Sequence, residues 1–156
     1  MNIMEFLNPQ ATTCEVKSQT KEDVIRELVS LLVKAGAIKE KDGLRLVQIL
    51  LEREALGSTG IGQGVAIPHG KTNLVKTLVS AFGVARGGVG FDSLDGEPVK
   101  LFFLLVAPED SAGPHLKALA RISRLLKDRH FRESLIGAKD EKSLVRIIRE
   151  EDERRH

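Results

Sequence analysis

The chain is 156 residues long, with 42% apolar residues, 29% charged residues and a net charge of +2. These are the proportions of one ordinary globular domain, long enough to bury a core without cross-links. The charges are interspersed and Trp and Tyr are absent, which argues against the basic stripe and stacking platforms of a nucleic-acid binder. Cys14 is the only cysteine, so disulfides within the chain and cysteine zinc clusters are excluded.

Lys21 to Ala35 has the spacing of an amphipathic helix, with Val24, Leu28, Leu31, Leu32 and Ala35 on one face. Thr20 and Asp23 resemble a capping box, and Gly36 is a stop signal. A second helix is expected from Lys41 to Leu56, with Leu44, Val47, Leu51 and Ala55 as its stripe and Gly57 as its end. Val65 to Pro68 and Leu78 to Ala85 read as strands. Arg86 to Gly90 reads as a turn or bulge, and Asp92 to Pro98 as a loop. Val99 to Ala107 is nearly all apolar, as expected of a central strand covered on both faces. A third helix is expected to open near Pro114, facing inward through Leu116, Leu119, Ala120, Ser123 and Leu126. A short helical piece from Phe131 to Ile136 and a last helix from about Asp140 to Glu151 complete the pattern. The charged tail Glu150 to His156 is expected to fray. Helices around a few apolar strands predict an α/β sandwich with a mixed sheet in a single domain, residues 1–156. No apolar run nears the ~20 residues that span a membrane. Met1-Asn2-Ile3-Met4-Glu5 lacks a basic region leading into an apolar one, so a cytoplasmic protein without membrane insertion is expected.

Two nucleotide-like fragments are decoys. Gly60-Ile61-Gly62-Gln63-Gly64 superficially suggests a dinucleotide fingerprint, but that motif follows a strand and opens a helix, the reverse of the order here. Gly70-Lys71-Thr72 resembles the end of a P-loop, but Val65 stands where the upstream glycine belongs and Pro68 removes a cradling N–H. A zinc hydrolase built on His69 and His115 lacks any His-Glu-x-x-His helix.

The informative segment runs from Arg53-Glu54 through a glycine loop to Ile67-Pro68-His69-Gly70. An imidazole near pH 7 is mostly neutral and nucleophilic, and Pro68 restrains the backbone leading into His69. The bland alternative is a histidine that ends a strand and bonds to backbone. Gly57, Gly60, Gly62 and Gly64 can turn successive N–H groups into an anion nest, to which Ser58 and Thr59 add hydroxyls. The alternative is a tight surface loop. His115 follows Pro114 at a helix start, where a neutral ring can donate to an anion; otherwise it is an exposed first-turn residue. Arg53 can grip phosphate in a planar fork or merely complement the helix C-terminus. Glu54 is a further candidate, or a solvated charge. No metal is expected at this site.

Arg53-Glu54 through Pro68-His69-Gly70 resembles the signature of the IIA domains of the bacterial phosphoenolpyruvate-dependent sugar phosphotransferase system, in the fructose–mannitol class. Phe91 to Val99, Phe103 to Glu109 and His115 to Ala120 resemble the family's later blocks, so the likeness runs from about Phe6 to Ile148. The resemblance implies a mixed, mostly five-stranded sheet flanked by helices on both faces. It implies that His69 accepts a phosphoryl group from the phosphocarrier HPr and passes it to a IIB component, for sugar uptake or as a regulatory signal. It places His115 and Arg53 around that group as catalytic residues. Ser58, Thr59, Gly60, Gly62 and Glu54 are the remaining expected phosphoryl contacts. The Gly57 to Gly62 block suits the nitrogen-regulatory subgroup. No cofactor is expected. The rival reading is a regulator that binds target proteins according to the phosphorylation of His69. The docking surface is expected around Ile61 and Phe82.

Overall fold

The structure is a computed structural model and describes residues 1–155. The chain builds a mixed sheet of β1 (Leu7–Thr13), β2 (Gly60–Gly62), β3 (Val65–Ala66), β4 (His69–Lys71), β5 (Val79–Val89) and β6 (Val99–Ala107). The helices are α1 (Lys21–Lys34), α2 (Gly43–Ala55), α3 (Ala112–Leu126), α4 (Arg129–Ile136) and α5 (Glu141–Arg154). The strand order is β1-β5-β6-β3-β2, with β4 also paired to β6. β3 and β4 form one interrupted strand. Val65 lies opposite Leu101, Ala66 opposite Phe102 and His69 opposite Leu105, all parallel, with no slip in register. Pro68 has no N–H for the ladder, yet its carbonyl still accepts from Leu105 N at 2.9 Å. Five positions across the sheet are thus filled by six segments, in keeping with the expected mostly five-stranded sheet.

β6 is the centre of the molecule, and its bounds are those expected from its apolar run. Leu101, Phe103 and Leu105 pack with α3, α4 and α5, while Phe102, Leu104 and Val106 pack with α1 and α2. Both faces are covered, so alternation disappears from the sequence. Burying each such side chain contributes about 1.5–3 kcal/mol. Edge-to-face pairs of Phe82 with Phe103 and Phe91 with Phe102, at 5.3 and 5.4 Å, lie one in each layer.

Thr20 caps α1 by accepting from Asp23 N at 3.2 Å, and Gly36 takes the left-handed conformation just past its end, at φ 79°. The expected bulge is present too: β5 runs on to Val89, but its register with β6 shifts between Val84 and Val89, and Gly88 has φ 79°.

Three expectations need correction, and β1 is a strand that none of them covers. β1 does not stand out in the sequence, because Pro9 and a register shift between Leu7 and Thr12 break its alternation; Pro is tolerated on such an edge strand. On α2 the inward residues are Leu46, Val47, Leu50 and Glu54, and Leu44 is exposed. Apolar residues surround much of that helix, so its stripe is ambiguous by periodicity. On α3 the buried residues are His115, Ala118, Arg121, Ile122, Leu125 and Leu126, and the helix starts at Ala112. Two polar residues on the inner face displace the apparent apolar stripe. The tail does not fray at Glu150: α5 continues to Arg154, with Glu151 and Asp152 buried. Arg121 Nη2 donates to Asp152 Oδ1 at 2.9 Å and to its carbonyl at 2.7 Å, and Met4 N donates to Asp152 Oδ2 at 3.1 Å. The last residue of the expected tail, His156, lies outside the described residues. Among the described residues, no helix is long and apolar enough to cross a membrane.

Candidate functional site

The interrupted strand delivers His69 to a cleft at the carboxyl end of β3, where ligand sites of open α/β sheets commonly lie. Gly70 faces the other side of the sheet, and a Cβ there would meet Ile49 Cγ2 at 3.3 Å. The missing side chain lets α2 close over β4. The resulting cavity of about 530 Å³ is bordered by Arg53, Leu56, His69, Lys71, His115 and Leu116, among others. The C-terminal turn of α2, β4 and the first turns of α3 therefore meet there, and Arg53, His69 and His115 share one cleft.

His69 Nδ1 lies 2.7 Å from the Ile67 carbonyl oxygen. A carbonyl only accepts, so the neutral ring carries its proton on Nδ1 and leaves the Nε2 lone pair free. Burial lowers the His69 pKa below its ordinary value, and the nearby Arg53 charge adds to this; the bond to Ile67 and the Glu54 charge oppose it. Neutral imidazole is favoured on balance. The bland alternative for His69, a bond to backbone, is also realised, and that bond is what frees Nε2.

His115 is not an exposed first-turn residue. It is 6% exposed, its ring centroid is 5.4 Å from that of His69, and the rings stand edge to face at 85°. Burial lowers its pKa, with His69 and Lys71 adding to the effect. Among the described residues its Nδ1 is buried without a partner. A bare acceptor is more readily left unpaired in the interior than an N–H, so the proton belongs on Nε2. Arg53 Nη1 donates to the Gly57 carbonyl at 2.8 Å, closing the helix end while the residue also borders the cleft.

The structure places the other sequence candidates elsewhere. Ser58 Oγ donates to the Phe91 carbonyl at 2.5 Å and accepts from Gly60 N at 3.0 Å. Thr59 is buried; its hydroxyl and its N–H both donate to Glu54, the latter at 3.1 Å. Glu54 is only 6% exposed and pairs with Lys21 Nζ at 3.3 Å. Gly60 and Gly62 form β2, paired antiparallel to β3. Gly62 borders a separate cavity of about 600 Å³ with Ile61 and Leu94. The glycines serve close packing: a Cβ on Gly60 would collide with Ser93, and Gly62 sits at φ 97° beside Asp95. None of Ser58, Thr59, Gly60, Gly62 or Glu54 borders the His69 cleft. The docking expectation changes for Phe82, whereas Ile61 is exposed beside the separate cavity. Phe82 is fully buried in the sheet, whereas Leu56 and Leu116, 85% and 68% exposed, flank the cleft. Their signal in the sequence is weak, since single apolar residues on a surface are normal.

A family profile described as "Phosphoenolpyruvate-dependent sugar phosphotransferase system, EIIA 2" matches residues 5–151. The chain is 40% identical over 152 residues to the fructose-specific EIIABC component of Bacillus subtilis, covering 97% of this chain but only 24% of that longer protein. It is 36% identical over 148 residues to a nitrogen regulatory protein of Bradyrhizobium diazoefficiens, covering 95% of each. The crystal structure of the nitrogen regulatory protein IIA-Ntr from Neisseria meningitidis superposes with a TM-score of 0.84 at 35% identity, covering 94% of this chain and 98% of that one. From its profile match, its relatives and its fold, the chain belongs to the EIIA type 2 family of the phosphoenolpyruvate-dependent sugar phosphotransferase system.

Proposed function

We propose that this protein is a phosphoryl carrier in which His69 Nε2 accepts a phosphoryl group from the phosphohistidine of HPr and passes it to a IIB component or to a regulated target. The observation that carries this reading is the bond from His69 Nδ1–H to the Ile67 carbonyl, 2.7 Å long, beside a second buried imidazole in an open cleft. The Nε2 lone pair attacks phosphorus. A new N–P bond forms as the donor's N–P bond breaks, and the donor imidazole leaves with the electron pair. Positive charge that develops on the His69 ring spreads to Nδ1–H, where the Ile67 carbonyl stabilises it. Little further covalent chemistry is needed beyond positioning and charge stabilisation. His115 Nε2–H and the Arg53 guanidinium supply donors for the phosphoryl oxygens, and Lys71 adds positive charge at the rim.

Exposed Leu56 and Leu116 around a polar centre fit the small, partly apolar contact of a transient protein partner. The same surface supports a regulatory reading, in which phosphorylation adds about −1.5 to −2 charges beside it and changes which target binds. The nitrogen regulatory relative, similar over 95% of each chain, favours keeping that reading beside sugar uptake. The test is incubation with phosphoenolpyruvate, enzyme I and HPr, followed by mapping of acid-labile phosphate. Label should appear on the wild type and vanish in His69→Ala; undiminished labelling of the variant refutes the assignment.

A further inference from the structure

A continuous hydrogen-bonded path joins a buried carboxylate on α2 to the reactive imidazole. Glu54 accepts from the Thr59 hydroxyl and from Thr59 N–H at 3.1 Å. The Thr59 carbonyl accepts from Ile67 N at 3.1 Å. The Ile67 carbonyl, in turn, accepts from His69 Nδ1 at 2.7 Å. Each link up to the half-buried His69 ring is a backbone or buried group, so no earlier step depends on a mobile surface side chain. At its far end Glu54 is held by Lys21 Nζ at 3.3 Å, and Lys21 itself sits 4.7 Å from the Phe91 ring centroid and 3.5 Å from Asp92.

Glu54 lies one residue from Arg53, so the helix turn that presents Arg53 to the cleft also anchors the strand that presents His69. A buried carboxylate is costly unless it is paired and fully bonded. An apolar residue at 54 would pack α2 without that cost. What the carboxylate adds is direction: it holds the Thr59 backbone, which holds the Ile67 backbone, whose carbonyl then selects the ring nitrogen that keeps the proton. A histidine's free nitrogen is set by the bond made by the other one.

We infer that Glu54 is a positioning residue which, through Thr59 and the Ile67 peptide, holds His69 in the tautomer that frees Nε2 for phosphoryl transfer. The inference rests on His69 being the acceptor, but its structural half concerns the unphosphorylated ring and needs no partner protein. Glu54 also acts through charge, because its carboxylate raises the His69 pKa against the lowering caused by burial and Arg53.

Glu54→Gln keeps the shape of the side chain but removes the charge and one acceptor. Thr59→Val removes only the hydroxyl, and Thr59→Ser restores it. Two-bond 1H–15N spectra of ¹⁵N-labelled protein above neutral pH should show His69 of the wild type protonated only at Nδ1. Glu54→Gln and Thr59→Val should add the other tautomer, and Thr59→Ser should keep the wild-type pattern. Glu54→Gln should in addition lower the His69 titration midpoint. Transfer from phospho-HPr should slow about 10- to 100-fold in kcat with little change in KM, by analogy with the loss of the outer hydrogen-bond partner of a metal-ligating histidine. If Glu54→Gln does not fold, the Thr59 pair decides the question. A single wild-type tautomer in every variant, with transfer within about twofold of wild type, overturns the inference. Failure of the wild type itself to take up phosphate, with the tautomer pattern as expected, counts instead against the phosphocarrier reading.

Discussion

Asp152→Ala should destabilise this protein more than any change in a charged surface tail could. Asp152 is 1% exposed and Arg121 is nearly as buried. Arg121 bonds the Asp152 carboxylate through Nη2 at 2.9 Å and Nε at 3.3 Å, and the other carboxylate oxygen accepts from Met4 N. Truncation leaves a guanidinium without its counter-charge inside the protein and strips Met4 N of its acceptor. Breaking one side of a buried pair costs about 3–5 kcal/mol. For a domain of this size each kcal/mol shifts the melting temperature by about 2–4 °C, so a fall of roughly 6–20 °C is expected by circular dichroism, with a matching fall in the urea midpoint. The double change Arg121→Met with Asp152→Leu should recover much of the loss, because apolar replacement of a whole buried pair is often neutral. A loss below about 1 kcal/mol in Asp152→Ala, the range of a surface pair, refutes the view that the end of α5 is locked to α3.

Other outcomes follow from the same geometry. His115→Asn should slow phosphoryl transfer about 10²–10³-fold, the cost of one lost stabilising donor, while remaining folded; unchanged kinetics in a rapid-quench assay contradict a role for that ring. Burial lowers the pKa of both His69 and His115, so the unfolded chain binds more protons in mild acid. Stability should therefore fall as the pH drops below about 6.5 and level off below the folded-state values. Phosphoryl acceptance should persist to a midpoint below 6.5, and replacing either imidazole by Asn should flatten the stability slope in urea titrations across this window. Gly83→Ala should cost about 1–3 kcal/mol by overpacking, because its Cβ would lie 2.7 Å from Val16 Cγ2 and 3.1 Å from Leu28 Cδ2; a neutral result in denaturant unfolding contradicts that packing.

Strong local signals carried most of the fold. The run Val99–Ala107 announced a central strand, and Thr20 and Gly36 marked the two ends of α1. What stayed hidden depends on tertiary partners. β1 pairs only along one edge and breaks its own pattern at Pro9. The inner face of α3 carries His115 and Arg121, which a search for apolar periodicity discounts, although those two residues link the cleft and α5 into the core. At the site, Pro68-His69-Gly70 was legible through its resemblance to the family signature; by position alone a histidine that ends a strand and bonds to backbone reads at least as well. The glycine loop was legible as special but not in its use. Four small residues serve an anion nest or a close packing equally well in sequence; the contacts a Cβ would make at Gly60 and Gly62, and the hydroxyl bonds of Ser58 and Thr59, appear only in the fold. Glu54 was visible as a neighbour of Arg53, but its burial and its path to His69 require the strand to lie beside the loop.

His69 Nε2 is the atom on which phosphoryl transfer depends. Phosphorylating ¹⁵N-labelled protein with phosphoenolpyruvate, enzyme I and HPr, and recording ³¹P and two-bond 1H–15N spectra of the product, identifies the nitrogen that carries phosphorus. The bond between His69 Nδ1 and the Ile67 carbonyl predicts a single phosphohistidine at His69, linked through Nε2 and still protonated at Nδ1. Phosphate on Nδ1, or on any residue other than His69, contradicts it.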